Sequence, residues 1–249
     1  MAIGPENRAV HRTSAGTQAQ ELDQGLRAYM LGVYNYMGTG LVVTAAFAWL
    51  FFRTPALFEL VYQQTQNGGI KPTILGWAVM FAPLGLLLYM SSAINSMKST
   101  TAQILYWVLT ALMGVSLSYI GLMYTGTSIA QTFLVCACTF LGMSLYGYTT
   151  KRDLTAIGSF LIMGVWGIFL AGIVNIFLGS SALHFAISAL GVLIFTGLTA
   201  YDTQQIKYMY SASDGHEIAR KKSVMGAIRL YLDFINLFMF LLQFLGNRR

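Results

Sequence analysis

The sequence predicts an all-α membrane protein of seven transmembrane helices, and three observations carry that prediction. Of 249 residues, 56% are hydrophobic and only 10% are charged, with a mean hydropathy of +0.61. A soluble domain is closer to a quarter charged, because water must wet its surface; 15 Lys+Arg and 9 Asp+Glu cannot cover one here. Seven apolar stretches each supply the roughly 20 residues that a bilayer core about 30 Å thick demands. Two cysteines and little low-complexity sequence exclude a disulfide scaffold or a disordered tail.

Taken in order, the spans cover approximately 28–52, 73–94, 102–124, 128–149, 155–178, 183–205 and 226–246. Residues 1–27 form a polar tail, and residues 28–249 a single seven-helix domain. The tail (Glu6, Arg8, Arg12, Gln18, Gln20, Glu21, Asp23) lacks the positive-then-apolar-then-small order of a cleaved signal, so the first helix is read as a retained span. The sizeable connections are 53–72 and 206–225. The last span is the least hydrophobic, since it carries Arg229 and Asp233, and a re-entrant or partly buried segment is its alternative reading. Gly114 with Ser118, and Gly167 with Ala171, are small residues one turn apart, a spacing that lets helix backbones approach closely.

Lys and Arg are distributed unevenly between the two sides. Arg8, Arg12, Arg27, Lys98, Lys151, Arg152, Lys207, Arg220, Lys221 and Lys222, ten in all, share one side; Arg53, Lys71, Arg248 and Arg249, four, take the other. The excess marks the cytoplasmic side, which predicts a cytoplasmic N-terminus and an outside C-terminus. The pI of about 9.3 is then a cytoplasmic charge meeting anionic lipid rather than a nucleic-acid footprint.

Seven of the nine acidic residues (Glu6, Glu21, Asp23, Glu59, Asp153, Asp214, Glu217) fall in the tail or the connections and read as solvated surface charge. Asp202, near the end of span six, and Asp233, about two turns into span seven, do not. A carboxylate at membrane depth costs at least a few kcal/mol, so each must face protein or water. Either each hydrogen-bonds a neighbouring helix with no further role, or the two serve ions or protons. Consecutive antiparallel helices bring both to similar depth, Asp233 about 10 Å inside the same leaflet at 1.5 Å per residue. In contact, two like charges at low dielectric share a proton; such a pair can sense pH, bind a hard cation such as Ca²⁺ through its oxygens, or do both in competition. Arg229, one turn before Asp233, either neutralises it or snorkels to lipid phosphate, and its shallow position favours the second. Gln205 and Asn236 complete the candidate site.

The same stretches carry a resemblance. Tyr201-Asp202-Thr203-Gln204 with Ile206-Lys207, Leu230-Tyr231-Leu232-Asp233-Phe234-Ile235-Asn236-Leu237-Phe238, and Leu241-Leu242-Gln243-Phe244-Leu245-Gly246 are similar to the Bax inhibitor-1 (transmembrane Bax inhibitor motif) family, in its bacterial form. The resemblance implies that the last helix is central and surrounded by the other six. It also implies a pH-sensitive calcium leak of the bacterial inner membrane, with a hydrogen-bonded aspartate pair on helices six and seven as sensor and gate; Asp202 and Asp233 match that pair. Bacterial relatives of this type carry an arginine cluster at the cytoplasmic end of helix two and an acid within it. Here that end reads Asn95-Ser96-Met97-Lys98 and the helix holds no Asp or Glu. Lys98 is left as the candidate latch, without arginine's bidentate geometry.

Rival readings fare less well. Ser144 after Gly142-Met143, with His184, imitates an intramembrane serine protease, but topology puts the serine deep and the histidine near the outer surface, whereas a dyad needs about 3 Å. A retinal protein needs a lysine in the last helix, and 226–246 has none. Cys136 and Cys138 diverge on their helix and cannot pair; His11, His184 and His216 have no metal-site spacing. No enzyme and no resident cofactor is expected. The expected partners are the bilayer, protons and Ca²⁺ as permeant ion, with no nucleic acid. Two further alternatives are a proton-coupled exchanger and a non-transporting regulator that binds a membrane protease or stress-response partner through the tail and the 206–225 loop.

Overall fold

The computed structural model describes residues 5–65 and 69–247, with side chains from residue 23 onward except that of Gln64. With no water in the bilayer core, each backbone N–H and C=O must be satisfied within its own segment, and helices answer that demand. Seven helical stretches are long and apolar enough to cross a membrane. They are Asp23–Arg53 of α1 (Pro5–Arg53), α3 (Ile74–Ala93), Ser99–Met123 comprising α4 (Ser99–Leu117) and the short α5 (Ile120–Met123), α6 (Gly126–Thr149), α7 (Thr155–Leu178), α8 (Ser181–Tyr208) and α9 (His216–Leu245). The 53–72 connection folds into a short helix, α2 (Pro55–Val61), and a hairpin of β1 (Tyr62–Gln64) and β2 (Ile70–Pro72), in which Tyr62 pairs with Pro72.

The last helix is the centre of the bundle. Leu230, Tyr231, Phe234, Leu237, Leu241 and Leu242 point to several sides of α9 and all are buried; a helix apolar all round is one with protein all round. α8, α1, α6 and α4 pack directly on it, while α3 leans on α4 and α7 on α8. Between helices in lipid there is no hydrophobic gain, so close packing and interhelical hydrogen bonds hold the bundle. Tyr231 Oη donates to Thr44 Oγ1 (2.7 Å), whose own proton goes to Thr110 O (2.9 Å), joining α9, α1 and α4. At Gly114 a side chain would strike the Thr44 carbonyl, so the small residue there serves helix approach. Gly167 borders open space, while Ala171 one turn on packs against the core.

Three boundaries differ from the sequence reading. The segment before residue 28 continues α1 as helix, with the apolar span itself starting at Asp23; the side chains of Glu6, Arg8, His11, Arg12, Gln18, Gln20 and Glu21 lie outside the described residues, as do Arg248 and Arg249. The last helix begins at His216, ten residues early, and is continuous rather than re-entrant. Hydropathy finds where a helix enters lipid, while Glu, Ala, Arg and Lys, good helix formers, carry 216–225 on as helix. The 206–225 connection shrinks accordingly to 209–215.

Candidate functional site

The final turns of α8 and the middle of α9 face each other, and Asp202 and Asp233 lie there as neighbours close enough to act directly on each other's charge. Asp233 is 5% exposed. Its Oδ2 is buried and no donor of the described residues reaches it. Two carboxyl groups in contact can bond only through a proton held between them.

Arg229 completes the electrostatics. Its Nη1 lies 3.9 Å from Asp202 Oδ1, with side-chain exposures of 48% and 17%. The guanidinium therefore sits at the wet edge of the pair, across the helix interface, rather than closing on Asp233 within its own helix. The other candidates take lesser places. Lys98 is exposed at the start of α4, and among the described residues the cation in ionic contact with the pair is Arg229. Asn236 spends its Nδ2 on Leu232 O, 2.8 Å away in its own helix. Gln205 is half-buried at the end of α8. Its neighbour Gln204 is fully buried; Oε1 accepts from Leu154 N and Nε2 donates to Arg152 O, both at 2.8 Å, which pins the α6–α7 turn to α8.

A chain of hydroxyls fixes α8 beside the acids. Thr203 Oγ1 donates to Thr199 O (2.7 Å), so it accepts from Ser144 Oγ (2.9 Å), which in turn accepts from Tyr34 Oη (2.6 Å). This ties α1, α6 and α8 together one residue from Asp202. The close approach of α6 to α8 depends on Gly147, where any side chain would meet the Ala200 carbonyl. Ser144 is thus committed to Tyr34 and Thr203. His184 lies nineteen residues before Thr203 on α8, about 28 Å along the axis, so the serine and histidine form no dyad. At the same end, Lys207 Nζ donates to Tyr148 O (2.9 Å).

Three acids read as solvated charge are engaged instead. Glu217 accepts from Ser99 N (2.5 Å) and Ser99 Oγ (2.8 Å), capping α4 from the start of α9. Lys221, one turn on, donates to Asn95 O and Met97 O, both at 3.3 Å. Asp214 pairs with Lys222 at 2.5 Å. Asp153 accepts from Thr155 N (2.9 Å) and Oγ1 (2.6 Å); these donors hold its carboxyl below the usual range.

Among the described residues no three His, Cys, Asp or Glu gather as metal ligands. Cys136 is buried and Cys138 exposed, both free. Beyond the pair along α9, Phe234, Ile235 and Phe238 wall an apolar cavity of about 330 Å³ shared with α1, α4, α5 and α6.

The fold and site define a polytopic membrane protein, a helical bundle whose central helix supplies one acid of a buried carboxyl pair. The chain belongs to the Bax inhibitor-1 family: the family model described as "Inhibitor of apoptosis-promoting Bax1" matches residues 26–249. It is 50% identical to a protein of Rickettsia prowazekii over 227 residues, 91% of this chain and 92% of that one. It is 47% identical to a protein of Caulobacter vibrioides over 247 residues, 98% of each. To the inner membrane protein YbhL of Escherichia coli it is 44% identical over 227 residues, 90% of this chain and 94% of that one.

Proposed function

We propose that the protein is a slow, pH-sensitive leak for Ca²⁺ in a bacterial inner membrane, gated by protonation of the Asp202–Asp233 pair, with the N-terminus cytoplasmic and the C-terminus outside. The contact of two acids inside a membrane bundle carries this reading. A proton between them holds α8 and α9 together; its loss sets two like charges against each other and leaves oxygens for a passing cation. That is the bistable element a switch requires. The family membership and the relative named as an inner membrane protein support the setting.

The arrangement described is a closed one. The cavity beyond Asp233 offers an ion only the side-chain oxygens of Thr44 and Ser118 among apolar walls, too few to replace a cation's hydration shell. The paucity of ligands suits a permeant rather than a resident ion. Arg229 at the edge of the pair supplies the counter-charge that a lone pair of acids lacks.

Calcium-dye flux in proteoliposomes tests the reading. Purified protein is expected to pass Ca²⁺ passively, above protein-free vesicles and with a rate that changes with pH. A flux equal to that of protein-free vesicles at every pH rejects the leak and favours the non-transporting regulator. Saturable flux that requires a counter-ion indicates an exchanger instead.

A further inference from the structure

The apolar cavity has a natural occupant that the gating reading does not use. Its walls come from α1, α4, α5, α6 and α9, with Ala45, Ala48 and Trp49 on one side and Phe133, Phe234 and Phe238 on the other. At about 330 Å³ it falls within the size range of ligand pockets, roughly 300–1,000 Å³. A cavity so apolar stays dry and takes up apolar guests. Ala45, Trp49 and Phe133 are exposed on the surface that faces lipid, so the available guest is hydrocarbon.

The dimensions and the charge narrow the guest further. Along α1 the lining runs from Leu41 to Phe52, about 16 Å at 1.5 Å per residue; half of a bilayer core about 30 Å thick is close to that length. At the end of this run Arg53 stands exposed, its guanidinium 5.9 Å from the centre of the Trp49 ring. Among the described residues no carboxylate pairs with Arg53, and a Trp–Arg edge at a helix end is where headgroups lie. We infer that this cavity is a phospholipid site: one acyl chain enters between α1 and α6 to touch α9, and the phosphate sits at Arg53.

Photolabelling separates such a site from ordinary lipid contact. Phe234 and Phe238 are only 4% and 9% exposed, and they line the cavity, whereas Phe177 on α7 is 85% exposed. In proteoliposomes containing a phospholipid that carries one diazirine near the carbonyl and one at the chain end, bulk lipid labels Phe177 and a seated chain also labels the Phe234–Phe238 segment. Ala48→Trp, which fills the cavity, is expected to cut α9 labelling several-fold and leave Phe177 labelling intact; Ala45→Phe gives a second filling variant should the first fail to fold. Arg53→Gln is expected to weaken α9 labelling as well. Labelling of Phe177 without α9 in the native chain overturns the site, as does α9 labelling undiminished by the filling variants. Undiminished labelling in Arg53→Gln overturns the phosphate assignment. None of these readouts depends on ion flux.

Discussion

Arg229 reaches across the helix interface to Asp202, 3.9 Å away, rather than back along its own helix to Asp233. Arg229 is thus a cation carried on the central helix itself, at the edge of the pair. A cation beside a carboxyl pair favours its ionised form, and the half-exposed guanidinium does so without sealing the site.

Replacing it should therefore move the response without destroying it. In Arg229→Gln the pH dependence of Ca²⁺ flux is expected to persist with its midpoint at higher pH, since loss of the cation favours the protonated pair. An unchanged midpoint in proteoliposome assays would show that Arg229 serves lipid alone.

Glu217 holds the start of α9 against the N-terminus of α4 through both carboxylate oxygens. Removing a helix cap costs about 1 kcal/mol. Glu217→Ala is expected to lower the thermal unfolding midpoint in detergent by a few degrees, and Glu217→Gln, which keeps an acceptor, by less. Equal midpoints for native protein and Glu217→Ala would reduce the contact to surface decoration.

The two small-residue positions should behave oppositely. Gly147 abuts the Ala200 carbonyl while Gly167 borders open space. Gly147→Leu is expected to abolish a monodisperse peak in size-exclusion chromatography, and Gly167→Leu to leave it intact. Tolerance of leucine at 147 would refute the close α6–α8 approach beside Asp202.

Asp153, in water at the α6–α7 turn, is held below the usual carboxylate range by the Thr155 hydroxyl and N–H. A group lowered on folding contributes stability above its unfolded pKa that is lost as pH falls through its folded one. In Thr155→Val the hydroxyl is gone, and NMR titration is expected to find Asp153 closer to its ordinary value. No change on losing the hydroxyl would assign the shift to the backbone N–H.

Much of this was legible in the sequence, for a physical reason. A bilayer imposes length and apolarity on every span, so seven helices could be counted, and it makes a membrane-depth acid expensive enough to stand out, so Asp202 and Asp233 could be picked from nine acids. Their contact followed from antiparallel neighbours at equal depth. What escaped was set by direction around a helix axis. Nothing in the spacing told Gln204 from Gln205, yet one is buried against the α6–α7 turn and the other half-exposed. The Tyr34–Ser144–Thr203 chain joins residues from three spans, and hydroxyls cross membranes too cheaply to be noticed. Glu217 looked like surface charge because its partner, Ser99, is 118 residues away; a serine opening an apolar run was the one available signal.

The most direct measurement compares the pH profile of Ca²⁺ flux in liposomes, across about pH 5 to 8, for the native chain, Asp202→Asn and Asp233→Asn at matched reconstitution. Each asparagine keeps the shape of the carboxyl and removes its titration, so each variant is expected to lose or displace the pH dependence. Two variants that retain the native profile would contradict the account, whatever flux they carry.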